Sequence, residues 1–287
     1  MAIAAAPGFT ARVFRRLWED PMGTVGLVLV LIVVFCGTAG PWITPFDPLK
    51  INVPDKFMAP SFSHFMGTDN LGRDVFSRII AGSRIALTIG VSTIATALVI
   101  GLTLGLLAGY GPRWLDNLLM LLFDSIYSFP TVILGLTVVT LLGASITTLM
   151  LVVIVIQTPA YARLTRTATL TIKNSEYIQA IESLGASRFR IIFVHLLPNV
   201  LGPLLIVASM DIPAVVTLEA GLTYLGMGIP PPAPSWGRTL QEGYSLIQVA
   251  PWIVVSGGIP LIITTLGFTF LGESLRDLID PKLRRMR

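Results

Sequence analysis

The chain has 287 residues, of which 53% are hydrophobic and only 13% charged, with a mean hydropathy of +0.78 and a formal net charge of +4. A soluble domain carries about a quarter charged residues, so this chain lacks the charge to cover a water-facing surface, and a soluble enzyme is excluded. The arginines fall between apolar runs rather than on a solvated basic patch, so nothing points to a nucleic-acid partner.

Five windows hold no Asp, Glu, Lys or Arg: 21–46, 85–112, 125–162, 191–210 and 243–272. Each can hold a span, since crossing the hydrocarbon core takes roughly 20 apolar residues. The expected fold is an all-α polytopic membrane protein with six transmembrane helices. Residues 1–21 are a cytoplasmic N-terminal segment, and 22–43 form the first helix. Arg12, Arg15 and Arg16 ahead of it resemble a signal-peptide n-region. The apolar run continues to Trp42 and Ile43, long for a signal, and Phe35 before Cys36 spoils a lipoprotein-type processing site, so it reads as an uncleaved anchor. Cys36 is the single cysteine, which leaves no disulfide framework and no Cys-based metal site.

An outer loop follows at 44–84, then a five-helix core at 85–273 and a cytoplasmic tail at 274–287. Within the core the second helix covers 85–109. The third is expected to run unbroken from Leu115 to the turn Gly143-Ala144-Ser145, with the fourth following to Tyr161. The fifth lies at 198–225 and the sixth at 251–271. Between them lie a cytoplasmic segment at 163–197 and a stiff, proline-rich outer loop at 228–250. Trp236 and Trp252 stand where interfacial anchors would. With the N-terminus inside, fourteen Lys and Arg fall on the inner side and six on the outer, which places both termini in the cytoplasm.

Catalytic patterns are missing. The two histidines, His64 and His195, fall on opposite sides of the membrane in this topology, and no zinc-protease motif or nucleophile elbow occurs. His64 reads as an ordinary loop histidine. A phosphate-binding loop needs a lysine after glycine, and none of Lys50, Lys56, Lys173 and Lys282 follows one. Any ATP chemistry must then belong to another subunit.

The most informative stretch runs through Glu176, Tyr177, Ile178, Gln179, Ala180, Ile181, Glu182, Leu184 and Gly185. Asn174 or Ser175 can cap a helix, Glu176 suits its first turn, and Gly185 suits the C′ position. Tyr177, Ile181 and Leu184 share one face, with Ile178 beside them. The result is an amphipathic helix too short to span. Its apolar face lies either on the membrane surface or its own bundle, or in a groove on a cytoplasmic partner.

Gln179-Ala180-Ile181, three residues, Gly185, and then Leu197-Pro198 resemble the EAA loop of ABC importer membrane subunits. Gln179 stands where that motif has Glu, Ile181 where it has Ala, and His195 where it has Ile. His195 to Asn199 resembles the dipeptide/oligopeptide branch. Residues 67–78, 219–226 and 231–237 look like that branch's second permease subunit, so the resemblance covers 66–281. It implies the type I importer permease fold in a multi-pass protein of the cell (inner, cytoplasmic) membrane. The helix from Ser175 to Gly185 would then be a coupling helix seated in a cleft of an ATPase subunit. The implied partners are a second homologous permease, two ATPases that carry ATP and Mg, an extracytoplasmic substrate-binding protein, and membrane lipid. This chain itself would carry no cofactor and no metal. The implied mechanism is alternating access, with peptides of the di- or oligopeptide class as cargo. Nickel, glutathione, opines or oligosaccharides on the same machinery are the alternative, and a stand-alone channel or secondary transporter is the competing class.

With Gln179 in place of the usual Glu, Glu182, one turn away, is the candidate to substitute in its salt bridge. Asp211 and Glu219 lie in or near spans, where they either face the substrate pathway or sit as protonated or helix-end acids. Asp124 reads as a helix-end charge. Asp69, Arg73, Asp74, Arg78 and Trp236 suit either docking of a binding protein or bracing of the outer loop, with Asp74 and Arg78 paired at i,i+4. Gly101, Gly105 and Gly109 form a stripe for close helix packing.

Overall fold

A computed structural model describes residues 20–279. The arginines expected at 12, 15 and 16, and the basic tail from Lys282 to Arg287, lie outside these. The chain divides into two compact units, one within Met1–Leu87 and Pro234–Arg287, the other Thr88–Ala233. Among the described residues there is no strand beyond a single bridge between Thr68 and Asp74.

The first unit holds α1 (Pro21–Ile43), the start of α2 (Val75–Tyr110), α8 (Trp236–Ser245) and α9 (Pro251–Ile279). Asp20 opens α1 by accepting hydrogen bonds from the backbone N–H groups of Met22 and Gly23, with Pro21 in the first turn. The buried face of α1 is Gly23, Gly26, Val33, Gly37 and Gly40. A Cβ on Gly26 would stand 2.5 Å from the Leu271 backbone nitrogen, and one on Gly267 would stand 2.9 Å from Leu29. Residue numbers rise along α1 as they fall along α9, so the pair is antiparallel and in backbone contact. Lipid tails are as apolar as leucine, so helices in a membrane associate through such close fits. Val25, Val28, Leu31, Ile32 and Phe35 stay exposed on the other side of α1, as a lipid-facing helix requires.

The second unit holds the rest of α2, then α3 (Arg113–Tyr127), α4 (Thr131–Leu142), α5 (Ile146–Lys173), α6 (Glu176–Ser183) and α7 (Arg188–Tyr224). Its core joins Ile94, Ala97 and Leu98 of α2 to Val153 and Tyr161 of α5 and to Leu204, Ala208 and Val215 of α7. The glycine stripe packs as expected: Gly101 meets Tyr161, Gly105 meets Ala162 and Thr165, and Gly109 meets Thr169. Numbers rise together along both helices, so α2 and α5 are parallel. The chain between them must therefore return to the side where α2 began.

That return is where the expectation fails. The third helix is broken: α3 and α4 meet at 88° across Ser128-Phe129-Pro130. Pro130 has no N–H to give and disfavours helical backbone at Phe129. The Ser128 backbone N–H closes α3 on Asp124 and Ile126, and Pro130 in extended backbone starts α4. Five helices are long and apolar enough to span among the described residues, and the bent pair counts as the sixth. Two further boundaries move. Helix α2 begins at Val75, inside the expected outer loop, because Arg78 and Arg84 hid its first turns from a charge-free search. Helix α5 runs on to Lys173 and α7 starts at Arg188, so the cytoplasmic segment between them shrinks to 174–187.

Candidate functional site

Helix α6 hangs between the ends of α5 and α7. The Ser175 carbonyl accepts from the N–H groups of Ile178 and Gln179, so Ser175 opens the helix through its backbone while its hydroxyl donates back to Ile172. Gly185 ends it at φ +83°, where a side chain would be strained, and the Ala186 N–H reaches back to the Ile181 carbonyl. Ile178 is fully buried against Ile191 and Leu196, with Leu106, Tyr110, Ile172 and Ile181 around them. The apolar face expected from spacing is therefore divided. Ile178 and Ile181 turn to the chain's own bundle, while Tyr177 and Leu184 are open, Leu184 at 87% exposure. Exposed Ala180 lies between those two at helical spacing. Glu176, Gln179 and Glu182 are also exposed, and Tyr110 donates a long hydrogen bond to Glu182 at 3.4 Å.

The elements that carry α6 are riveted by charge. Arg166 on α5 grips Asp116 on α3 with both Nε and Nη2, at 2.5 and 2.6 Å. Arg163 pairs with Asp124 at 2.6 Å and lies over the Tyr127 ring, 4.6 Å from its centre. Asp124 is thus a paired charge on the last turn of α3.

In the first unit, Asp69, Arg73, Asp74, Arg78 and Trp236 are all buried. Asp69 accepts from Arg73 Nε at 2.6 Å and from the N–H groups of Leu71 and Arg73. Arg73 reaches Glu242 at 3.4 Å, and Arg238 holds the same carboxylate at 3.2 Å. The expected pairing of Asp74 with Arg78 is not made. Asp74 instead caps α2 through the Ser77 N–H and hydroxyl, while Arg78 turns to Asp69 and the Pro48 carbonyl. A helix N-terminus offers free N–H groups that take the carboxylate first. His64 is more than a loop residue: it is buried, bonds Asp74 at 2.9 Å and stacks on Phe46. Trp236 donates to the Ile79 carbonyl in the first turns of α2 and Trp252 to the Thr68 carbonyl of the outer loop, so both indoles are tied into the first unit. All these bonds stay inside the unit, which is the geometry of bracing.

Asp211 and Glu219 occupy different settings on α7. Asp211 is half-buried and accepts from the Tyr161 hydroxyl at 2.8 Å. Glu219 is buried and accepts from Thr223, whose hydroxyl also holds the Ile229 N–H, so it fixes the turn after α7. Neither lines a cavity of the second unit that measures about 650 Å³ and is bounded by Tyr127, Thr131, Gln157, Thr217, Leu218 and their neighbours. Sequence reasoning passed over Gln157, although it is the one carboxamide in the charge-free window 125–162.

Apolar spans, a glycine-packed helix pair and a short helix held out between two of them define a multi-pass membrane protein. The chain belongs to the family of binding-protein-dependent transport system inner membrane components, whose model matches residues 101–285. A second model, the N-terminal TM domain of oligopeptide transport permease C, matches residues 8–60. The dipeptide transport system permease protein DppC of Alkalihalophilus pseudofirmus is 34% identical, covering 94% of this chain and 89% of that protein. The di/tripeptide transport system permease protein DppC of Pseudomonas aeruginosa is 36% identical over 90% of this chain and 88% of its own length. The glutathione transport system permease protein GsiD of Pectobacterium atrosepticum is 35% identical, over 94% and 90%. Among solved structures, a chain of the inward-facing MetNI methionine ABC transporter superposes with a TM-score of 0.58 at 20% identity, covering 71% of this chain and 97% of that one. The protein is thus an ABC importer permease of the dipeptide/oligopeptide type, multi-pass in the inner membrane, with the type I fold.

Proposed function

We propose that this permease passes short peptides, delivered by an extracytoplasmic binding protein, through a pathway formed with a second homologous permease. Two separate ATPases, with ATP and Mg bound to them, drive it through α6. The observation that carries the reading is the division of α6: Ile178 fastens it to the bundle while Tyr177, Ala180 and Leu184 stay open to a partner. A helix laid in a groove uses anchors at this spacing. Because α6 is gripped from within, a displacement of the partner moves α5 and α7 with it. Nucleotide binding shifts the permease only if the partner holds α6 more tightly in one state than in the other. The peptide relatives favour peptide cargo, and the glutathione relative supports a second reading in which a small thiol peptide is carried.

The test is co-purification from detergent of the tagged chain, with ATP hydrolysis assayed in the eluate. Ala180→Asp and Leu184→Asp change exposed positions, so they leave the fold intact. ATPases should accompany the wild type and be lost from both variants. Retention in the variants would remove α6 from the coupling role.

A further inference from the structure

The cavity of the second unit has a ligand's dimensions. Small-molecule sites are concave, mostly apolar, and enclose roughly 300–1,000 Å³, and this one holds about 650 Å³. Its walls include Val132, Ile156, Val215 and Leu222, and no Asp, Glu, Lys or Arg lines it. Gln157 is the one carboxamide in a wall whose other polar groups are the hydroxyls of Tyr127, Thr131, Thr217 and Tyr224. It sits near the middle of α5, half-buried, and its carboxamide makes no hydrogen bond to any described residue. An amide left unpaired at membrane depth is expensive, so a glutamine held there implies a polar occupant.

The hydroxyls nearby tell the same story. Threonines in this chain's helices commonly donate back to the carbonyl four residues earlier, as Thr103, Thr137, Thr158 and Thr264 do. Thr131 and Thr217 line the cavity, and neither hydroxyl is bonded to a described residue. Three uncharged groups able to donate and accept therefore face one space among aliphatic side chains.

We infer that this cavity is a subsite on the transport path in which Gln157 pairs with a peptide unit of the substrate and the aliphatic wall receives one apolar side chain. The inference rests on the peptide-importer reading above. A carboxamide donates and accepts at once and so complements the N–H and C=O of a peptide bond. With no charge in the wall, the subsite reads backbone and apolar bulk rather than the peptide's termini, and it disfavours acidic and basic side chains.

The experiment is uptake of labelled Gly-Gly, Gly-Phe and Gly-Asp by the complete transporter in proteoliposomes, with co-purifying subunits and ATP hydrolysis followed in parallel. Gln157→Leu should slow Gly-Gly and Gly-Phe by about tenfold, the worth of roughly one well-placed hydrogen bond, with all subunits and hydrolysis retained. Gln157→Asn should recover part of the rate. A Cβ on Gly221 meets nothing within 4 Å, so Gly221→Leu fits the fold while narrowing the cavity. It should slow Gly-Phe far more than Gly-Gly. Wild-type rates and selectivity in Gln157→Leu and Gly221→Leu would overturn the subsite while leaving the importer reading intact. Loss of the second permease from Gly221→Leu would also overturn it, since the partner chain would then be the cavity's occupant. If the wild type concentrates no peptide, the peptide reading falls, and the subsite with it.

Discussion

Ile178 and Leu184 are both aliphatic residues of one short helical stretch, yet burial separates them completely, at 0% and 87% exposure. Truncating a buried isoleucine removes transfer energy and leaves a cavity, about 2–5 kcal/mol together. Ile178→Ala should therefore loosen α6 and raise hydrogen exchange across 176–183, while Leu184→Ala should leave exchange unchanged. Equal protection in both variants would mean that α6 is not fastened at Ile178. The outer network obeys a different rule. Removing one member of a buried ion pair strands its partner, at about 3–5 kcal/mol. Asp69→Ala would leave Arg73 and Arg78 without their shared carboxylate and should lower the thermal midpoint in detergent by several degrees. Lys50→Ala, at an exposed loop position, should not. A midpoint unmoved in Asp69→Ala would show that water reaches these charges. At this scale part was legible: Asp69, Arg73, Asp74, Arg78 and the C′ glycine follow from capping and charge chemistry, whereas His64, Arg238 and Glu242 of the same network were passed over. The partners were not, because Asp74 had two suitors and spacing alone could not rank the α2 N-terminus above Arg78.

Helices show the same mixture. Every span lies in or overlaps a charge-free window, since an ionised side chain at the bilayer centre costs roughly 2.5–3.5 kcal/mol on insertion scales. The elbow at Pro130 escaped that reading for a physical reason. Pro41, Pro159, Pro203, Pro213 and Pro260 all sit inside helices that continue through them. Neighbouring helices make proline tolerable in a span, so the residue that breaks α3 from α4 looks like five that break nothing. Close packing was legible for Gly101, Gly105 and Gly109, but Gly23 and Gly26 of α1 gain their meaning only beside α9, and Gly37 and Gly40 only beside the start of α2. Gly26→Leu should separate that pair, because even a Cβ would press on the Leu271 backbone. Spin labels at the exposed positions 28 and 262 in a Cys36→Ser background should read a longer α1–α9 distance with Gly26→Leu than in the parent. An unchanged distance would mean that the helices accommodate leucine, and that the glycine face is not what sets their approach.

For the whole molecule the competing class makes a different thermodynamic claim. A channel or facilitator can only equilibrate its solute, whereas an importer driven by partner ATPases can hold a gradient. Each tenfold of accumulation corresponds to about 1.4 kcal/mol, which passive flow cannot supply. On the proposed reading, that energy enters from partner ATPases, with α6 as the element that receives it. In proteoliposomes holding the complete assembly and its binding protein, the ratio of a labelled dipeptide in the binding-protein compartment's trans side to its cis side should rise above about ten with ATP. With a non-hydrolysable analogue it should stay near unity. Leu184→Asp should bring the ATP-driven ratio to the same level while leaving the spans folded, because it alters only the open stripe of α6. A ratio near unity for the wild type would favour the channel class. A high ratio that persists in Leu184→Asp would keep the importer and move the coupling contact elsewhere, to the exposed and mutually stacked rings of Phe189 and Phe193 at the start of α7.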